Sequence, residues 1–146
     1  MKNLITFSLL FFLLSGCSIS RHVEPVRAHI SIDKVYIQKN TLDHMEGLLP
    51  ELVAEVQALG FAAQAYQGER PEQARFYIIY QANWSWDMAM YLVYFHANLY
   101  DQGKIIGQVD YNAKNGGANM GKFGHTSEKI QPLLEQLFAQ VKRSEN

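Results

Sequence analysis

Cysteine is almost absent from this chain of 146 residues: there is one, at position 17. A single thiol closes no disulfide within one copy, and the five histidines (His22, His29, His44, His96 and His125) include no i,i+4 pair and have no cysteine beside them apart from the terminal region. A zinc site is therefore not expected, and the expected metal set is none. Long apolar runs are missing too. The longest begins at Leu4 and ends at Leu14, well short of the roughly 20 residues that a membrane-spanning helix requires. An excess of positive charge is also lacking, since 13 Lys and Arg face 14 Asp and Glu, which argues against nucleic acid or anionic lipid as the main partner. Gly116-Gly117 precedes no GKS or GKT pattern, so a turn is the better reading of that pair than a phosphate cradle. Ser85-Trp86-Asp87 is no nucleophile elbow, and no pair of carboxylates is placed for acid–base work. No catalytic residue and no cofactor are expected, and the chain is not expected to be an enzyme.

The N-terminus carries more information. Met1-Lys2-Asn3 supplies one cation, Leu4 to Leu14 an apolar core, and Leu14-Ser15-Gly16-Cys17 a small-residue ending. These are the three regions of an export signal. The ending L-S-G-C resembles the lipobox of bacterial lipoproteins, in which the thiol receives a diacylglycerol and the chain is cut before the cysteine. The resemblance implies that residues 1–16 are a removable signal peptide and that Cys17 is the lipidated N-terminus. It also implies outer-membrane sorting, because Ser18 rather than Asp follows the cysteine. Two or more acyl chains hold a protein stably on a bilayer without spanning it. The expected location is the periplasmic face of the outer membrane, anchored through Cys17. After cleavage 12 cations face 14 anions, and about 130 residues suffice for one domain with one core.

Residues 17–27 read as a lipidated tether and 28–146 as the domain. Ala28 to Gln38 alternates as a first strand. Asp43 and Glu46 have capping-box spacing ahead of Met45, Leu48, Leu49, Leu52, Val56 and Leu59, a helical stripe that Gly60 ends. Pro50 predicts a kink there or a helix that begins near Leu49. Phe61 to Gln67 reads as a second strand and Gly68 to Gln73 as a loop. Arg75 to Tyr100 is too long for one strand and must bend, with Trp84-Ser85-Trp86-Asp87 the expected place. Lys104 to Ala113 is a further strand, and Asn115 to Gly124 a glycine-rich loop. Thr126 is placed to cap a last helix with the stripe Ile130, Leu133, Leu134, Leu137 and Val141, interrupted by Pro132. The order β-α-β-β-β-β-α predicts one α+β domain, a mostly antiparallel sheet with two helices on one face.

The Tyr100–Lys104 turn closes in one of two ways. A two-residue loop pairs Asp101 with Lys104 and sets Phe95 against Asp110. A three-residue loop pairs Tyr100 with Lys104, Leu99 with Ile105, Phe95 with Val109 and Val93 with Tyr111, which gathers the apolar residues on one face. The second is preferred. It leaves Leu92, Tyr94, His96, Asn98 and Tyr100 beside Ile106, Gln108, Asp110 and Asn112 on a wet face rich in aromatics. Extended past the strand ends, it brings Ser85, Trp86 and Asp87 opposite Asn119, Ala118 and Gly117. Trp84, Trp86, Asp87, Asn119 and Lys122 are thus the candidate binding residues, with Asp87 expected to accept from the loop amides while Asn119, Lys122 and Trp86 rim a small surface. The competing reading makes the tryptophans core packing at a sheet corner.

With Ser15 to Ile19, Trp84 to Asp87, Tyr111 to Phe123 and Gln136 to Phe138 in view, the chain resembles a family of small Gram-negative bacterial lipoproteins of unassigned activity. The likeness spans most of the chain, is densest after residue 80, and departs at Gly124-His125, where more hydrophobic residues are the rule. It implies an envelope lipoprotein and no particular chemistry. The favoured role is a binding or assembly module that meets an envelope protein, and the alternative is a receptor for a small amphipathic ligand such as a glycan or lipid fragment. A flat patch of Leu92, Tyr94, Tyr100 and Ile106 would favour the first, and a pocket lined by both tryptophans the second.

If Cys17 carries the anchor, Cys17→Ala blocks processing or releases the chain from the membrane, and the variant takes up no labelled fatty acid. Normal labelling and membrane retention of that variant would contradict the assignment.

Overall fold

In the computed structural model, residues 18–27, 29–41, 45 and 47–143 are described; the signal segment, Cys17 and the Asp43 and Glu46 capping pair lie outside them. The elements follow in the order β1 (Ser20–Glu24), β2 (Ser31–Ile32), β3 (Lys34–Gln38), α1 (Leu48–Ala58), β4 (Ala62–Tyr66), β5 (Phe76–Asp87), β6 (Ala89–Asp101), β7 (Lys104–Asn112), a 3-10 turn (Met120–Lys122), α2 (Thr126–Phe138) and β8 (Lys142–Arg143). Six strands form one sheet in the order β1-β7-β6-β5-β3-β4, and β2 pairs with β8 in a second, two-stranded one. The large sheet is antiparallel from β1 to β5, and β3 runs parallel to both β4 and β5. This is the expected single α+β domain.

Two local expectations change, and one of two alternatives for the first helix is met. Ser20–Glu24, read as tether, is an edge strand paired along its whole length with β7. Val26, just beyond it, is fully buried and donates its N–H to the Leu137 carbonyl at 3.0 Å. Helix α1 begins at Leu48, the expected alternative of a start near Leu49, so Pro50 falls in the first turn, where its missing N–H costs no helical bond. Helix α2 passes through Pro132, and His125, not Thr126, stands at its N-cap position. Six buried side chains hold α2 in spite of the proline: Lys129, Ile130, Leu133, Leu134, Leu137 and Phe138.

Both helices press on one face of the sheet. Leu48, Leu52 and Val56 of α1 and the α2 stripe share a core with Val35, Ile37, Phe76, Ile78, Tyr80, Phe95, Ala97, Leu99, Val109 and Tyr111. The approach is close at Gly107, where an added Cβ would stand 2.6 Å from a Leu137 methyl and 3.0 Å from one of Val26. Any side chain there would have to push aside the Leu137 and Val26 side chains and crowd the Glu24 carbonyl at 3.2 Å, so the sheet meets the helix at the one strand position without one.

The β6–β7 register corrects the preferred turn. Asp101 pairs with Lys104, and Gln102 and Gly103 both have positive φ, 49° and 92°. This is the two-residue turn of type I′, whose twist suits a hairpin. Taken alone it would have set Phe95 against Asp110. A bulge prevents that: Tyr100 pairs with Ile105 but Leu99 with Gly107, leaving Ile106 unpaired. The extra residue shifts the parity, and Phe95 meets Tyr111 and Ala97 meets Val109 on the core face. Tyr94, His96 and Asn98 then share the helix-free face with Asn112, Asp110 and Gln108. A second bulge lies where Asn83 pairs with Tyr94 but Trp84 with Leu92. It turns Leu92, expected on the wet face, into the core, where it is 2 % exposed. Beyond this bulge β5 and β6 run on as a two-stranded arm to a turn at Met88, directly after the expected bend.

Candidate functional site

The arm and the glycine-rich loop meet at one end of the sheet, as expected, but through different contacts. Lys122, in the 3-10 turn, is 4 % exposed. Its Nζ donates to Asp87 Oδ2 at 2.5 Å and to the Gly117 carbonyl at 2.6 Å. The ammonium lies 4.9 Å from the Tyr91 ring centroid and 5.1 Å from that of Phe123, and those two rings meet edge to face. A carboxylate, a carbonyl and two π faces thus replace the water lost on burial. Asp87 therefore accepts from Lys122 and not from the loop amides, and Lys122 is an internal tie, not part of a rim. Asn119 is occupied as well: its Oδ1 accepts from the Gly121 N–H at 2.9 Å and caps the 3-10 turn. Lys129, 8 % exposed, adds a second tie from α2 to the Gly121 carbonyl at 2.8 Å.

The tryptophans part company. Trp84 packs against the core, and its Nε1 reaches Thr126 Oγ1 at 3.4 Å. It borders a recess of about 160 Å³ with Met45, Leu48, Glu51 and Thr126, and Trp86 is not among the lining residues. Trp86 is 70 % exposed and stands opposite Met90, itself 49 % exposed. Directly paired residues share a face of a hairpin, so the two form one apolar flank, away from Asp87. Met88 caps the arm at 80 % exposure and φ 62°, a left-handed conformation that costs a residue with a Cβ about 1 kcal/mol. Met120, in the turn packed against the arm, is 70 % exposed. Sequence reading missed the three methionines. The available signal was charge: from Phe76 to Phe95, turn included, Asp87 is the sole charged residue, and Lys122 neutralises it.

The helix-free face carries a different chemistry. Tyr36, Tyr77, Tyr100 and Ile105 lie on one cross-strand row. Tyr77 and Tyr100 stack at 4.8 Å, and the Arg70 guanidinium caps Tyr77 at 4.6 Å. Ala74 packs on the same tyrosines, so the loop after β4 covers that end. Further along, His96 Nδ1 meets Asp110 Oδ1 at 2.7 Å, and Gln108 Nε2 donates to Oδ2 at 2.9 Å. Burial pushes the Asp110 carboxyl up, but the bonds from Gln108 and His96 and the fields of His96 and His22 outweigh it and hold the group below the usual carboxylate range. An open cleft of about 560 Å³ beside this row is lined by Gln38, Asn40, Ile79, Gln81, Asn83 and Tyr94 among others. Among the described residues, no three His, Cys, Asp or Glu side chains are grouped to hold a metal ion.

No family model matches the chain, and no curated protein does. Solved structures do resemble it. The PelC dodecamer from Paraburkholderia phytofirmans aligns with a TM-score of 0.56 at 12 % identity, over 87 % of this chain and 100 % of that one. A variant of the same dodecamer in a second crystal form aligns equally well, over 88 % of this chain and 100 % of that chain. At this identity the likeness speaks for the fold.

Lys122→Ala should lower stability by about 2 kcal/mol, since it leaves the Gly117 carbonyl and Asp87 without their donor. Trp86→Ala should fall within about 0.5 kcal/mol of the parent. Urea melts of both variants check the pair, and equal losses would contradict the division into tie and surface.

Proposed function

We propose that the chain is an outer-membrane-anchored periplasmic lipoprotein whose domain works as a non-catalytic assembly module, held by lipid on Cys17. The observation that carries the module reading is the helix-free sheet face. A sheet that packs helices on one side and leaves aromatic and aliphatic side chains on the other offers a broad contact surface. Here the surface runs from Ile79, 37 % exposed, past Tyr100 to Ile105, 52 % exposed. It differs in membership from the patch expected from sequence, because Leu92 is buried. The fold likeness to a dodecamer supports testing a second copy as the first partner. No helix among the described residues is long and apolar enough to cross a membrane, which is compatible with a lipid anchor.

The receptor reading has support of its own, moved from the tryptophans to the cleft. Gln38, Gln81 and Asn83 offer amide donors and acceptors, and Tyr94 an aromatic face, the pairing of groups that sugar hydroxyls and C–H faces engage. The module reading is preferred because Ile79 and Ile105 present apolar area that a sugar would leave wet.

The test is the mass of the detergent-solubilised mature protein before and after Ile105→Asp. The expected result is a multimer that the substitution reduces to monomer, with thermal stability within about 0.5 kcal/mol of the parent. A parent that stays monomeric and leaves intact cells without a crosslinked protein, yet binds envelope glycan, would replace the module with the receptor.

A further inference from the structure

The exposed tip of the β5–β6 arm lies at the end of the domain from which the anchored N-terminus emerges. Ser20, the first residue of β1, pairs with Asn112, and Asn112 pairs with Tyr94. The arm continues from this row in the direction of the chain start. From Tyr94 to Met88 is six residues, about 20 Å of extended strand. Ile19 stays on the same end: its Cδ1 lies 3.7 Å from where a Cβ on Gly121 would stand, in the turn that carries Met120. Cys17 is two residues further, and two residues of chain reach at most about 7 Å. A lipid on Cys17 would be attached within that reach of Ile19, on the end of the domain that carries the glycine-rich loop and the arm.

The chemistry of the tip suits that neighbour. Its outermost groups are Trp86, Met88 and Met90, at 70, 80 and 49 % exposure. Asn115 to Gly121 carries no ionisable side chain, and the one charge on the arm is spent on Lys122. Tryptophan concentrates at the boundary between headgroups and acyl chains, where an apolar ring with one N–H donor is at home on both sides. A turn facing water ordinarily takes glycine, asparagine or aspartate at a left-handed position. Here the position is filled by a methionine at φ 62°, so backbone strain is accepted in order to present an apolar side chain outward.

We propose that this arm is a second membrane contact: its tip inserts Trp86, Met88 and Met90 into the headgroup boundary of the same phospholipid leaflet that holds the lipid on Cys17. The contact rests on the anchor reading above. It sets the orientation of the domain, with the β5–β6 turn down on the bilayer and the Asp101–Lys104 turn away from it, and the helix-free face standing upright for lateral contacts. The occupant is lipid because the chain delivers its own bilayer to this end. A second copy docking on the tip would have to exclude that bilayer.

The experiment uses the mature lipidated protein reconstituted in phosphatidylcholine–phosphatidylethanolamine vesicles. In a Trp84→Phe background Trp86 is the sole tryptophan, and its emission is read with and without lipids brominated on the acyl chain close to the glycerol. Insertion of about 5–10 Å predicts a blue-shifted emission that bromine quenches about twofold or more. Vesicles that carry the protein while Trp86 emission stays unshifted, or shifts without being quenched, overturn the proposal and leave the anchor standing; the second pattern means that protein covers the tip. A mature protein that does not float with vesicles overturns the anchor and this contact together. Should Trp84→Phe disturb folding, the difference between the parent and Trp86→Phe gives the same quantity.

Discussion

An ammonium group buried under a hairpin organises the end of this molecule. Removing a charge from water costs several kcal/mol unless partners replace the hydration, and Lys122 finds Asp87, the Gly117 carbonyl and the rings of Tyr91 and Phe123. Those partners come from the arm, the glycine-rich loop and the 3-10 turn. One side chain thereby ties together segments with little apolar area to bury against one another. Lys129 repeats the device from α2 at Gly121. The half-exposed Asp87 makes the pair less costly than a fully dry one, and its position next to the Met88 turn fixes the direction in which the arm ends.

The rest of the sheet depends on two inserted residues. Ile106 and Val93 are the unpaired members of the two bulges, and each shifts the side-chain parity of its strand by one. The first bulge keeps Phe95 and Val109 under the helices despite a two-residue turn. The second turns Leu92 under Trp84 and leaves Trp86 and Met90 paired beyond the reach of α1 and α2. An exposed apolar flank on the arm is thus a consequence of core packing further down the same strands.

This explains what could be read from sequence and what could not. The helical stripes, the long aromatic segment with its bend and the two-layer α+β arrangement follow from periodicities of 3.6 and 2 that packing reinforces. The register did not, because a turn and a bulge act on the same parity. The wrong turn with no bulge and the right turn with one bulge place Phe95, Ala97, Leu99, Val109 and Tyr111 alike on the core face and part at Ile105, which the wrong turn sets opposite Leu99 and the bulge leaves exposed on the helix-free face. The site was legible as a meeting of Asp87 with the glycine-rich loop, since strand geometry sends both to one end. Its donors were not. Whether Lys122 lies on a rim or inside depends on a 3-10 turn that no periodicity announces, and the exposure of Met88 contradicts the ordinary chemistry of turns. Ser20–Glu24 looked like a tether because its core-face positions are Arg21 and Val23, and Arg21 lays its guanidinium over the Tyr111 ring where the alternation of a strand calls for an apolar side chain.

The fold, the tip and the proposed anchor fit one arrangement: a domain held at one end by lipid and a hairpin, with its helix-free face available sideways. That arrangement requires the arm to be a rigid projection secured by Lys122, and native-state hydrogen exchange measures this residue by residue. In a Lys122→Met variant the account predicts that the amides from Ser85 to Tyr91 exchange about tenfold or more faster than in the parent, while those from Ile78 to Tyr80 keep their protection. Equal protection of the arm in both proteins, or a loss spread evenly over the sheet, would contradict it.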